Sequence, residues 1–136
     1  MYLEIYRIIE ARVSELGPWH VAPALGDEPP YPAVQPYLHN DEDKRTGTTR
    51  FRELKWAIKI TVAHDETPGA AQEQMMGILD ALRDGFDQWV PDGYTGIQTG
   101  FHVDTVRIEG YRDHGETIYL MILSLRVIPQ AFGQLP

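Results

Sequence analysis

The sequence predicts an α+β fold, a mostly antiparallel β-sheet of about four strands with two helices packed against it. Three observations carry that prediction. The run Leu54-Lys55-Trp56-Ala57-Ile58-Lys59-Ile60-Thr61-Val62 alternates apolar and polar residues with the period of a half-buried strand. After Asp65-Glu66-Thr67-Pro68 the pattern switches to helical period and continues to Trp89. Phe101 to Ile108 and Thr117 to Ile128 are two further alternating runs around the connection Glu109 to Glu116, a hairpin with a loop longer than the tightest turns.

From the N-terminus, Ile5, Ile8, Ile9, Val13 and Leu16 recur at helical spacing and Gly17-Pro18 follows as a stop, which places a helix over 2–16. Prolines at 18, 23, 29, 30 and 32 make 17–33 mostly loop. Val34 to Leu38 reads as extended, but Pro36 has no N–H for a ladder, so this strand belongs at a sheet edge or a bulge. His39 to Arg50 is polar, with Asp41-Glu42-Asp43 ahead of Lys44-Arg45-Thr46-Gly47, and offers no core face. It is expected to be a long, mobile hairpin loop over about 39–50, joining the edge strand to the strong strand at about 51–63.

In that strand Leu54, Trp56, Ile58, Ile60 and Val62 share one face and Lys55, Lys59 and Thr61 the other, so one side is buried and one wetter. Thr67 suits an N-cap, Pro68 the first helical position, and Asp65 and Glu66 the positive end of the helix dipole. Ala71, Met75, Ile78, Leu79, Leu82, Phe86 and Trp89 then form one apolar stripe, and Pro91-Asp92-Gly93 ends the helix. In the last strand Tyr119, Met121, Leu123, Leu125 and Val127 alternate with Ile118, Leu120, Ile122, Ser124 and Arg126. Its first half is apolar on both faces, so it either lies between two helix layers or shows a face that another subunit covers. Residues 129–136 read as a flexible C-terminal arm.

At 136 residues the chain is one domain, 1–136, and its 43% hydrophobic content is that of a globular protein. A net charge of −8 argues against nucleic acid or an anionic membrane as the main partner, since such surfaces are met by clustered Lys and Arg. Without cysteine there is neither a disulfide framework nor a thiolate metal site. The start Met1-Tyr2-Leu3-Glu4-Ile5-Tyr6 lacks the basic and apolar regions of a signal peptide, and no apolar run reaches the roughly 20 residues of a membrane span. The expectation is a soluble protein made in the cytoplasm.

Few residues suggest chemistry. The histidines at 20, 39, 64, 102 and 114 never fall at metal-pair spacing. Asp41-Glu42-Asp43 lacks the spaced oxygen donors of a cation loop. His64-Asp65 could be a base with its orienting carboxylate, yet no nucleophile motif accompanies it. Glycines 93, 96 and 100 follow a helix and precede a strand, the reverse of a dinucleotide-binding loop. The Met75, Phe86 and Trp89 stripe reads as core rather than as a partner groove. The expectation is therefore a non-enzyme with no cofactor, no metal and no catalytic residue.

The order of elements, from the helix ending at Leu16-Gly17 through Tyr31-Pro32-Ala33-Val34, the polar segment, the Trp56 to Val62 strand, the Thr67-Pro68 helix and the closing hairpin over Leu123 to Val127, resembles the tail terminator, or tail-completion, proteins of long-tailed bacteriophages, prophages and gene-transfer particles. The resemblance covers most of the chain and rests on order, length and texture rather than on a motif. It implies a virion structural protein that forms a ring, typically a hexamer, caps the tail tube, ends its polymerisation and joins it to the head-side connector. It also implies a mixed α/β sandwich with helices on an antiparallel sheet.

In that role the partners are other copies of the chain, the tail tube protein and the head–tail connector protein, with DNA passing through the lumen unbound and no membrane involved. The location is the head-proximal end of the tail. Ile118, Leu120 and Ile122 are the candidate subunit interface, and Arg45, Arg50 and Arg52 the candidate tube or connector contacts; a two-sided core strand and a solvated hairpin are the competing readings. A head-closure or neck protein of the same particle is the alternative function. A small ligand-binding α+β domain, with a pocket beneath the 67–89 helix, is a more distant one.

Overall fold

The structure, a computed structural model, describes residues 1–21, 32–63, 69–97, 99–112 and 116–134. Helix α1 spans Tyr2–Leu16, as the spacing predicts, and buries Ile5, Ile8, Ile9 and Val13. Gly17 ends it for a reason other than a left-handed turn, since its backbone is fully extended. The Trp19 ring folds back over it, where a Cβ at position 17 would collide with the ring, and the Trp19 Nε1–H donates to the Val13 carbonyl at 2.9 Å. One carbonyl left open by the end of the helix is thereby satisfied.

Five strands form one mixed sheet in the order β1-β2-β3-β6-β5, where β1 is His20–Val21, β2 Ala33–Thr46, β3 Thr49–Ala63, β5 His102–Arg112 and β6 Glu116–Val127. The sheet differs from the expected four antiparallel strands by β1, which pairs parallel to β2 at Ala33 and Val34. Pro36 lies in β2, next to the edge, as its missing donor requires. Helix α2, Ala70–Phe86, follows β3, and with α1 it packs on one face of the sheet. There Leu54, Trp56, Ile58, Ile60 and Val62 of β3 and Met121, Leu123, Leu125 and Val127 of β6 meet Ile5, Ile9 and Val13 of α1 and Met75, Ile78, Leu82 and Phe86 of α2.

The expected caps Thr67 and Pro68, with Asp65, Glu66 and His64, lie outside the described residues. Helix α2 ends at Phe86, short of the expected Trp89. Asp87 is extended, Gln88 takes a positive φ of 65°, and Trp89 turns back to stack on Phe101 at 5.7 Å with 15° between the rings. Phe86 meets Phe101 edge-on at 5.7 Å, and the bonds Gln88 N–H to Phe101 O at 2.7 Å and Phe101 N–H to Trp89 O at 2.9 Å tie the turn to the start of β5.

Two further segments depart from the sequence reading. The expected loop over 39–50 is strand: β2 and β3 stay paired to Thr46 and Thr49 around a two-residue turn in which Gly47 has φ 62°, with one irregularity at His39. A glycine with positive φ at the first turn position suits the right-handed twist of a tight hairpin. The expected arm over 129–136 is instead clasped as far as it is described. Pro129–Ala131 forms a short 3-10 turn, β7 (Gly133–Gln134) pairs with β4 (Tyr94–Thr95), and Phe132 packs 5.8 Å from Tyr94. The Ile128 N–H donates to Gly96 O at 2.7 Å and Thr95 Oγ1 to Ala131 O at 2.6 Å.

Candidate assembly surfaces

The residues singled out from the sequence fall on two parts of the sheet. Arg45, Arg50 and Arg52 all lie on the β2–β3 ribbon, and the register turns them to the same side as the helices. Arg45 is opposite Arg50, Asp43 opposite Arg52, and Asp41 opposite Leu54, which belongs to the helix-covered core. Alternation thus sets acids and arginines of two strands on one surface. Arg52 Nε donates to Asp41 Oδ1 at 2.8 Å and Arg50 Nη2 to Asp43 Oδ2 at 2.8 Å. The Tyr2 hydroxyl, from the first turn of α1, donates to Asp41 Oδ2 and joins helix to ribbon.

These contacts set the titration of the ribbon. The bond from Arg50 holds the Asp43 carboxyl below the usual carboxylate value. Donation to Asp41 raises the Tyr2 phenol above its ordinary value, and the same carboxylate raises Arg52. On the other side of the ribbon Glu42 and Glu53 lie directly opposite each other, a repulsive pairing. Lys44 lies 3.6 Å from Glu42 and 4.0 Å from Glu53, Arg126 lies 4.0 Å from Glu53, and the Arg126 guanidinium also sits 5.0 Å over the buried Phe51 ring. Asp41-Glu42-Asp43 is therefore no cation loop. Its carboxylates point alternately to the two sides of a strand, and each has a cation beside it.

Ile118, Leu120 and Ile122 occupy the sheet face opposite the helices and are 3%, 3% and 4% exposed within the single chain. Ala57, Leu120 and Ile122 cluster there with Tyr37. Neither described helix packs on this face. On the same face Asp104 accepts from Ser124 Oγ at 2.9 Å and lies 3.0 Å from Lys55 Nζ, and that partner raises the Lys55 pKa. His102 is opposite Ser124 in the register. Sequence reasoning missed this serine–aspartate–lysine group because its members are spread over β3, β5 and β6. Ser124 donates to the acid and the lysine is held protonated, so neither is arranged as an activated nucleophile.

A groove of about 280 Å³ lies between α1 and the loop after α2, lined by Arg7, Ile8, Arg12, Trp89, Asp92 and Tyr94 among others. Arg12 is fully engaged there. It donates to Gly85 O through Nε at 3.1 Å and Nη2 at 2.9 Å, and its guanidinium stacks 4.6 Å over Trp89, a cation at the negative end of α2. The groove is outside the core, and the pocket expected of a ligand-binding domain beneath α2 is filled by buried Met75, Ile78, Leu82 and Phe86. Among the described residues no group of three or more His, Cys, Asp or Glu could hold a metal, and no helix is long and apolar enough to cross a membrane. His64 and His114 lie outside the described residues.

No family model and no curated protein sequence matches the chain. Among solved structures it is similar to a chain from the virion of a native gene transfer agent particle, with a TM-score of 0.56 at 12% identity, covering 97% of this chain and 92% of that one. At that identity the likeness is one of fold, and it extends nearly from end to end of both chains.

Proposed function

We propose that this protein is a structural component of a tailed, virus-like particle, and that its copies form a ring, six in this reading, which caps the tail tube, ends its polymerisation and makes the joint to the head-side connector. The observation that carries the reading is the near end-to-end fold likeness to a gene transfer agent virion chain. The order of elements, which resembles the tail terminator proteins, supports the same role, and no step in that role calls for a catalytic group.

The surfaces suit assembly. The β2–β3 ribbon is set in place before docking by Arg50–Asp43, Arg52–Asp41 and Tyr2–Asp41, so little ordering entropy remains to be lost when it meets a tube or connector. Arg45, Arg50 and Arg52 share one side of it, where an acidic partner surface can engage them. Ile118, Leu120 and Ile122, already withdrawn from solvent, serve as the floor beneath a ring contact rather than its exposed part. The net charge of −8 lets DNA pass a lumen without adhering. In this reading the protein resides in the virion, at the head-proximal end of the tail.

Native mass spectrometry over a concentration series tests the ring. A single closed stoichiometry that appears cooperatively is expected. A monomer at every concentration, with or without tail tubes, would overturn the proposal.

A further inference from the structure

The five-stranded sheet has two long outer edges of different character. On one side β5 has no strand beyond it among the described residues. On the other, β1 covers only Ala33 and Val34, so from Leu38 to Arg45 the outer side of β2 likewise has no strand among the described residues. Each edge carries exposed apolar side chains on the helix side of the sheet. Ile108, 49% exposed, stands opposite Tyr119 on β5, and Leu38, opposite Trp56, lies on β2 with Tyr2 bound nearby to Asp41. An edge with apolar neighbours is a template for another strand.

Strands β2, β3, β6 and β5 alternate in direction. Four is an even number, so β5 runs opposite to β2. Rotation about an axis to which the strands are tilted by well under a right angle keeps the up-or-down sense of each strand, and it therefore brings β5 of one copy beside β2 of the next in antiparallel orientation, with both helix layers on the same side. We infer that β5 of each copy pairs with the Leu38–Arg45 stretch of β2 in the next copy, so that the ring closes by continuing the sheet; this inference rests on the ring reading above.

The register supplies the stagger such a closure needs. His102, at the start of β5, is level through Ser124 and Lys55 with Asn40, so β5 stands beside the half of β2 that begins at Ala33, while the open half of β2 continues past it. Pairing the two displaces neighbouring copies along the strand, as tilted strands in a closed sheet are displaced. The same contact lays Ile108 near Leu38 and Tyr2. A two-fold pair of β5 with β5 would leave the β2 edge and its apolar residues uncovered.

The chain has no cysteine, so introduced thiols have only each other as partners. Thr105, opposite Ile122, and Asn40, Glu42 and Lys44, in register with Lys55, Glu53 and Phe51, lie on the sheet face away from the helices. Thr105→Cys protein is mixed in turn with Asn40→Cys, Glu42→Cys or Lys44→Cys protein under mild oxidation, and each mixture is run on a non-reducing gel beside native mass spectra. The expected result is a mixed disulfide in at least one mixture, none in any single variant alone, and, with both thiols in one chain, a covalent ladder that ends at the ring size. Rings without a mixed disulfide in any of the three mixtures would overturn the edge pairing and leave the ring reading standing. A Thr105→Cys homodimer would overturn it in favour of a two-fold β5 pair. Neither rings nor cross-links at any concentration would overturn both, and a ladder without closure would uphold the edge pairing against the ring.

Discussion

Strands β2 and β3 are one hairpin whose two ends are held by different forces. At the core end Ile58, Ile60 and Val62 of β3 and Val34 of β2 are fully buried under the helices. At the other end, from Asp41 to Arg50, the same ladder continues with charged residues, and Arg50–Asp43, Arg52–Asp41 and the Lys44 contacts replace apolar burial. Burial is worth about 25 cal/mol per Å² of apolar surface, whereas an exposed ion pair contributes little and is screened by salt. One end therefore supplies stability, and the other supplies a shaped, charged surface whose loss the fold tolerates.

The largest effect should follow from placing a charge within the sheet. Leu120→Asp puts a carboxylate at a position 3% exposed and should cost at least about 3 kcal/mol, so the product is expected to be unfolded or molten by circular dichroism. A folded Leu120→Asp monomer that fails to assemble would instead return Leu120 to the interface. Next, Trp56→Ala empties the helix-covered face beside Tyr6, whose ring lies 6.5 Å away, and is expected to cost about 3–5 kcal/mol in denaturant unfolding. At the ribbon tip, Gly47→Val forces a β-branched residue to φ 62° and should cost about 1–2 kcal/mol by the same measurement. If Gly47→Val equals Trp56→Ala, the division of labour between the two ends is wrong.

The smallest effect belongs to the ion pairs. The folded-state pKa of Asp43 lies below its ordinary 3.8, so the stability contributed by the Arg50 pair is present above that value and is lost as pH falls through the folded pKa. The difference in Tm between wild type and Asp43→Asn is expected to be small near neutral pH and to vanish in acid. A difference that persists in acid would mean that Asp43 acts through packing rather than charge. Tyr2 has the opposite sense. Its raised pKa makes the Tyr2–Asp41 contribution one that is present below about pH 10 and lost as pH rises through the folded value, which wild type against Tyr2→Phe would read out.

The same contrast accounts for what could be read from the sequence. Helix α1, strand β3 and the β5–β6 pairing were legible because each buries a periodic apolar face, and burial leaves its period in the sequence. The hairpin joining β2 to β3 was legible too, but the length of its paired ribbon was not, because that pairing is satisfied by backbone and charge, and a stretch such as Asp41-Glu42-Asp43-Lys44-Arg45 looks the same in a hairpin's loop as in its strands. Strand β1 has only two residues, too few to show a period. The clasp of the C-terminus depends on Phe132 meeting Tyr94, a pairing far apart in sequence that no local pattern announces. Of the candidate surfaces, Arg45, Arg50 and Arg52 are expected beside a loop but stand on a paired ribbon, and the partners of Arg50 and Arg52, Asp43 and Asp41, have no signal in the local sequence. For Ile118, Leu120 and Ile122 the alternation leaves core and interface both open, and the single chain already buries them.

In the function proposed above, copies of this chain cap a tail tube. Electron microscopy of the purified protein mixed with tail tubes from a related particle tests it most directly. Rings in the protein alone, and density on one end of each tube that blocks further growth when tube subunits are added, are the predicted result. Bare tube ends that continue to elongate at saturating protein would contradict it.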